Sequence, residues 1–334
     1  MKFITGIFAA SLLAGSALAA PRGSQAQRIK TRMPSFSHLT HGIEKTGVNE
    51  FKNLTHINSS QAEYSNNWSG AVLEEPPSSQ ATFTAVSATF TVPKPTAGVA
   101  LGGSEGYQAA SAWIGIDGDT SSNAILQTGV DFILQNGQAS YQAWYEWLPN
   151  TAVNFDLDIN AGDVIVAYVR TSDNSHGIAV IENHTSGKNA SKTLSAPSAS
   201  ATLQGVNAEW IVEDFEMSGG LVPMVDFGKV TFTGAVAETS QGAVGLDGAH
   251  ILDIRQDGLV LTDADILSSS EVVVTYTGGS GTGGFPPSRG SGSGDNGSGE
   301  GLSGPLDPFG FGDIPVVVTI ADGTGDVSID ESFV

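Results

Sequence analysis

The sequence predicts an all-β protein whose main body, residues 61–277, forms one large β-sandwich; a closed barrel is the alternative architecture. Three observations support this class. Short apolar runs alternate with polar residues at the period of a half-buried strand. Clusters of Gly, Asn, Asp and Ser separate them, as in Asp117-Gly118-Asp119 and Thr171-Ser172-Asp173-Asn174-Ser175. No apolar stripe of helical period continues beyond about ten residues. The first strand-like run is Ala81–Pro93, with Phe83, Val86, Phe90 and Val92. Tyr141–Leu148, Asn154–Ile159, Val164–Arg170 and Gly177–Glu182 follow, then Ala208–Phe215, Lys229–Val236 and Glu271–Thr277. In Ala208–Phe215, period two sets Glu209, Ile211 and Glu213 on one face and Trp210, Val212 and Asp214 on the other. Glu213 sits among apolar neighbours, which predicts partial desolvation and a raised pKa. Trp144 and Glu146 also share a face.

The segments outside the body have their own character. Met1–Ala20 has Lys2, an apolar run through Leu13 and the small-x-small pattern Ala17-Leu18-Ala19, which together predict a secretory signal over residues 1–19. No later stretch reaches 18 consecutive apolar residues. Residues 20–60 form a basic leader: Arg22, Arg28, Lys30, Arg32, Lys45 and Lys52 face only Glu44 and Glu50. Residues 278–334 begin with a Gly/Ser/Pro-rich stretch that cannot offset its ordering entropy. After it, Val316–Ile320 has the makings of one lone strand.

Composition excludes whole classes of chemistry. The chain of 334 residues has 14 Lys and Arg against 35 Asp and Glu, a formal charge of -21. That disfavours nucleic acid and anionic membrane as partners. With no cysteine there is no disulfide, thiolate nucleophile or cysteine-ligated metal. The body's three histidines, His176, His184 and His250, lie in no Gly-x-Ser-x-Gly motif and have no metal-ligand spacing. No phosphate-binding loop or dinucleotide fingerprint is present. Asp117-Gly118-Asp119 hints at calcium, but no twelve-residue loop ending in Glu follows. No cofactor and no metal are expected.

What remains is a concentration of Trp, Glu and Gln. Ser65-Asn66-Asn67-Trp68-Ser69-Gly70-Ala71, Trp113–Asp119, Leu126–Gly129, Trp144–Trp147, Glu182-Asn183, Ala208–Phe215 and Leu221-Val222-Pro223 occur in this order. Together they resemble the glutamic peptidases of fungi, or eqolisins, over about Ser65 to Thr277. The resemblance implies a concanavalin-like sandwich of two large antiparallel sheets and a secreted, pepstatin-resistant acid endopeptidase made with a signal and a propeptide. It also implies a catalytic pair: the Gln of Leu-Gln-Thr-Gly, here Gln127, and the Glu before Asp-Phe, here Glu213. Trp113, Asp117, Trp144 and Glu146 become cleft or supporting residues. Family members often carry disulfides, which this chain lacks; Ser121 stands near one expected half-cystine.

The residue types suit amide hydrolysis. A carboxylate can take a proton from water and return it to the leaving amine. A glutamine amide cannot act as a base, but it can donate to a developing oxyanion. The expected substrates are unfolded or flexible proteins, with the leader as a masking segment and the enzyme a monomer. The alternatives are a glycosidase pairing Glu146 with Glu213, and a glycan-binding sandwich without catalysis. Sequons stand at Asn53, Asn58, Asn67, Asn183, Asn189 and Asn296. From Gln61 onward there are 33 acidic and 7 basic residues, so mutual repulsion should make the body more stable in acid. Protonation would also loosen the leader, so self-cleavage is expected near residue 60, with a mature chain beginning between Ser59 and Ser65.

Overall fold

The computed structural model describes residues 36–37, 62–99, 106–217 and 219–281. The last strand runs four residues past the expected end of the body, to Gly281; the signal, most of the leader, and the tail beyond it with Val316–Ile320 lie outside the described residues.

Nineteen strands run through the described residues, which contain no helix. The first are β1 (Phe36–Ser37), β2 (Glu63–Ser65), β3 (Trp68–Leu73), β4 (Phe83–Thr91), β5 (Tyr107–Ile116), β6 (Leu126–Gln135) and β7 (Gln138–Trp147). Then come β8 (Val153–Asn154), β9 (Val164–Asp173), β10 (His176–Asn183), β11 (Lys188–Ser195), β12 (Ala208–Glu213), β13 (Glu216–Met217) and β14 (Gly220–Leu221). The last are β15 (Lys229–Thr239), β16 (Gly242–Val244), β17 (His250–Gln256), β18 (Leu259–Ser268) and β19 (Glu271–Gly281).

They build two large antiparallel sheets. One is ordered β17-β3-β12-β5-β6-β7-β8, with β2 parallel beside β17. The other is ordered β11-β10-β9-β4-β15-β19-β18, with β16 beside β15. A short β17–β18 pairing, Arg255 opposite Val260, joins them. The path runs open from β11 to β8, so this is a sandwich and not a closed barrel. A separate small sheet has the order β1-β13-β14.

Period two decides where each side chain goes. Along β12, Ala208, Trp210 and Val212 enter the core between the sheets, while Ile211 packs with Trp68 and Trp113 on the opposite face. The Trp210 indole crosses between the sheets and donates to the Ser87 carbonyl at 2.9 Å. All five tryptophans are essentially fully buried, but they divide: Trp147 and Trp210 fill the core, and Trp68, Trp113 and Trp144 line the outer face of the first sheet. Burying a large apolar side chain stabilises by about 1.5–3 kcal/mol. A core of this extent lets the cysteine-free chain stand without disulfides.

One expected strand is shorter than its pattern. Of Asn154–Ile159 only Asn154 pairs, together with Val153, against Tyr145 and Trp144 of β7. Phe155 packs on the Tyr145 ring at 4.8 Å, and Leu157 and Ile159 reach the core without a partner strand. Alternation there records burial, not pairing.

Candidate active site

The register of four adjacent strands lays out the outer face of the first sheet in three rows. Glu209, Gly115, Gln127 and Glu146 lie side by side across β12, β5, β6 and β7. Two residues along come Ile211, Trp113, Gly129 and Trp144. Two further on come Glu213, Ser111, Asp131 and Gln142. Because antiparallel partners point to the same side, Glu213 and Gln127 share this face. The Trp113 row lies between them.

Glu213 ends β12 and is fully buried. Its Oε2 accepts the Trp113 indole N–H at 2.8 Å, and its Oε1 accepts from Asn67 Nδ2 at 3.3 Å. The Trp68 indole, packed edge-on against Trp113 at 4.9 Å, also favours the ionised carboxyl. Burial holds Glu213 well above the ordinary glutamate range; Trp113, Trp68 and Asn67 pull the other way, and Glu216 adds a smaller upward push. The desolvation expected from the sequence is therefore complete rather than partial.

Gln127 is also fully buried, and its Nε2 donates to Glu146 Oε2 at 2.8 Å. That bond fixes the orientation of the amide, a group able to donate an N–H to an oxyanion. Thr128 Oγ1 donates to the Trp144 carbonyl at 2.6 Å, and the Trp144 indole donates to Ser111 Oγ at 3.1 Å. Gly129 permits this packing: a Cβ there would stand 2.3 Å from the Ala112 carbonyl oxygen and 2.5 Å from Trp113 Cβ.

Asp117 has a different place. It follows β5 at φ 64°, and its carboxylate accepts backbone N–H groups of Gln204, Gly205, Val206 and Asn207 at 2.5–3.4 Å. It therefore pins the segment that leads into β12. Burial raises its pKa against those four hydrogen bonds. Among the described residues no cluster of three or more His, Asp or Glu could hold a metal.

Sequence reasoning named neither Asn67 nor Trp68 as a site residue, although both stand in the Ser65–Ala71 segment it singled out. It also passed over Glu209, which is fully buried with no hydrogen-bond partner on either oxygen among the described residues. Burial first, then Asp117 and Asp119, hold Glu209 well above the ordinary glutamate range.

A profile of the Peptidase A4 family matches residues 66–276. The chain belongs to this family, the glutamic peptidases or eqolisins. It is 42% identical to aspergillopepsin-2 of Aspergillus niger over 291 residues, 83% of this chain and all of that protein. It is 35% identical to scytalidopepsin B of Scytalidium lignicola over 285 residues, again 83% of this chain and all of that protein. A crystal structure of scytalido-glutamic peptidase with a transition state analog inhibitor superposes with a TM-score of 0.56 at 35% identity, covering 64% of this chain and 98% of that one. A complex of an eqolisin with the tripeptide Ala-Ile-His gives 0.54 at 35% identity over the same shares. As a member of the family this eqolisin is an acid endopeptidase of the glutamic, pepstatin-insensitive type, working with a Glu/Gln pair. The glycosidase and glycan-binding readings fall with that finding.

Proposed function

We propose that Glu213 and Gln127 are the catalytic pair of a secreted acid endopeptidase that is made as a masked precursor. The observation that carries the assignment is the grip on each side chain: indole and amide donors on the Glu213 carboxyl, and Glu146 on the Gln127 amide, all on one sheet face. Ionised Glu213 takes a proton from a water, which attacks the scissile carbonyl carbon. The new oxyanion accepts an N–H from the Gln127 amide. The intermediate collapses as Glu213 returns the proton to the leaving nitrogen.

Masking is supported by burial and by the leader. Both side chains are buried. Leader residues Phe36 and Ser37 pair with Met217 and Glu216, just beyond Glu213. Release of the leader would hydrate Glu213 and remove its desolvation while keeping its donors. The carboxyl would then fall toward the acidic range, where it can work as a base. Residues 1–19 act as the signal, 20–60 as the propeptide, and flexible protein chains are the substrates.

The full chain, held near pH 3.5 where most exposed carboxylates are protonated, should trim itself to a start between Ser59 and Ser65, as read by N-terminal sequencing. Glu213→Gln should stay folded, remain untrimmed and fail to digest denatured protein. Gln127→Ala should lose roughly 10²–10³-fold in kcat. Near wild-type turnover in E213Q would overturn the assignment.

A further inference from the structure

The Asn67–Glu213 hydrogen bond joins two segments of chain held together by a third. Asn67 lies in the turn between β2 and β3, and Glu213 ends β12. Inside the turn, Ser65 Oγ accepts the backbone N–H groups of Asn67 and Trp68 at 3.2 and 3.0 Å. The Asp214 N–H donates to the Asn67 carbonyl at 2.9 Å. β17 runs beside β2 with Ile254 opposite Ser65, so its last residue, Gln256, arrives over the turn. Gln256 Nε2 donates to the Asn66 carbonyl at 2.8 Å and to Asp214 Oδ2 at 2.7 Å. Both partners are acceptors here, so only the NH₂ end of the amide can face them.

We propose that Gln256 is a positioning residue for the reaction, clamping the 66–67 turn to the end of β12 and so holding the Asn67 amide against the Glu213 carboxyl. The inference rests on the assignment of Glu213 as the catalytic acid and base. Gln256 itself touches neither substrate nor reacting atoms. At 3.3 Å the Asn67 bond is already long, and a shift of a few tenths of an ångström in the turn would break it. Among the described residues, the other groups facing Glu213 do not replace this donor. Trp113 and Trp68 already favour its ionised form, while Glu216 of β13 and neighbouring Asp214 are carboxylates. The nearby cation, Arg255, places its guanidinium 4.5 Å above the Tyr64 ring. A donor lost from the ionised form raises the proton affinity of Glu213. The acid limb of the activity profile must then move to higher pH.

The test uses the acid-activated enzyme on a peptide substrate. Gln256→Ala should lower kcat about tenfold with KM changed less than about twofold, and should move the acid limb upward by several tenths of a pH unit. Asn67→Ala should do the same, and the double variant should be no worse than N67A, because the two act through one bond. If Q256A fails to fold, Gln256→Glu keeps the size and, once protonated, one donor. Its kcat should be intermediate in acid and fall as pH rises and the new carboxylate faces Asp214. The proposal is overturned if Q256A keeps the wild-type kcat and acid limb while only its thermal midpoint drops. It is equally overturned if the Q256A and N67A losses multiply. Activity retained in E213Q would remove the catalytic assignment itself, whereas a silent Q256A beside a dead E213Q removes only the clamp.

Discussion

Trp113 carries two separable contributions in one side chain. Its ring packs edge-on against Trp68, and its N–H reaches Glu213 at 2.8 Å. Trp113→Phe keeps an aromatic ring and deletes the donor. A hydrogen bond to a charged group contributes about 1.5–3 kcal/mol. The expected result is a roughly tenfold to hundredfold lower kcat, an acid limb moved to higher pH, and a folded protein by circular dichroism. An unchanged pH profile would show that the indole only packs. What the residues alone marked was Glu213, a carboxyl among apolar neighbours; Gln127 was legible only through the family resemblance of its Leu-Gln-Thr-Gly segment. Gln256 was not legible, because 190 residues separate it from Asn66 and no local pattern marks a glutamine that bridges two acceptors. Asp117 was legible as a special residue but not in its role. Its four backbone donors come from residues 204–207, which only the fold brings near.

Among the elements, alternation exposed several strands with one wet face, and burial on both faces hid β3, β5 and β6 but not β12, which is buried throughout and was still readable. β10 alternates residue by residue and was readable; β4, β7 and β9 were readable too, although their burial follows no strict period. β3 is buried throughout, and β5 and β6 nearly so, because the core covers one face and the Trp-lined site occupies the other. These motif-bearing strands therefore showed no period. β11 was missed for the opposite reason: Lys188–Ser195 is largely exposed and polar, as suits an edge strand that must not recruit another chain. Its Asn189 is exposed, whereas Asn67 and Asn183 are buried and hydrogen-bonded. Asn53, Asn58 and Asn296 lie outside the described residues. If the chain is secreted through a glycosylating pathway, Asn189→Gln should remove one glycan by mass, and Asn67→Gln and Asn183→Gln should remove none. A second element-level test concerns the Leu-Gln-Thr-Gly segment. Gly129→Ala forces its Cβ into the Ala112 carbonyl and Trp113. Overpacking of this kind costs about 1–3 kcal/mol. The thermal midpoint should therefore fall by several degrees, and activity should fall with it as Trp113 is displaced. A G129A enzyme with wild-type midpoint and turnover would contradict the close packing.

At the scale of the molecule, the charge count led to an expectation of acid stability through mutual repulsion. The structure gives a different leading cause. Glu209, Glu213, Asp214, Asp117 and Asp253 are all raised, and in each case desolvation comes first. Asp253 is the most tractable of them. It lies in β17, accepts the Ala264 N–H at 2.9 Å and the Ser69 hydroxyl at 3.4 Å, and is pushed up to about 7 by burial and then by Asp263. A carboxyl whose folded pKa exceeds its unfolded value binds the proton more tightly when folded. Its contribution is full below the unfolded value near 3.9 and is lost as pH rises through the folded one. For Asp253 that window runs from about pH 4 to about pH 7, and full ionisation costs at most about 4 kcal/mol. Folding stability should therefore fall across this range, as measured by urea denaturation of the E213Q chain, which cannot digest itself. Asp253→Asn keeps an acceptor and removes the titration, so its stability should change less between pH 4 and pH 7. Salt separates the two causes. Repulsion among exposed carboxylates is screened at about 1 M, where the Debye length is about 3 Å, whereas the cost of ionising a buried carboxyl is not. A pH slope that survives high salt but shrinks in D253N supports burial as the cause. A slope abolished by salt and untouched by D253N would return the explanation to net charge.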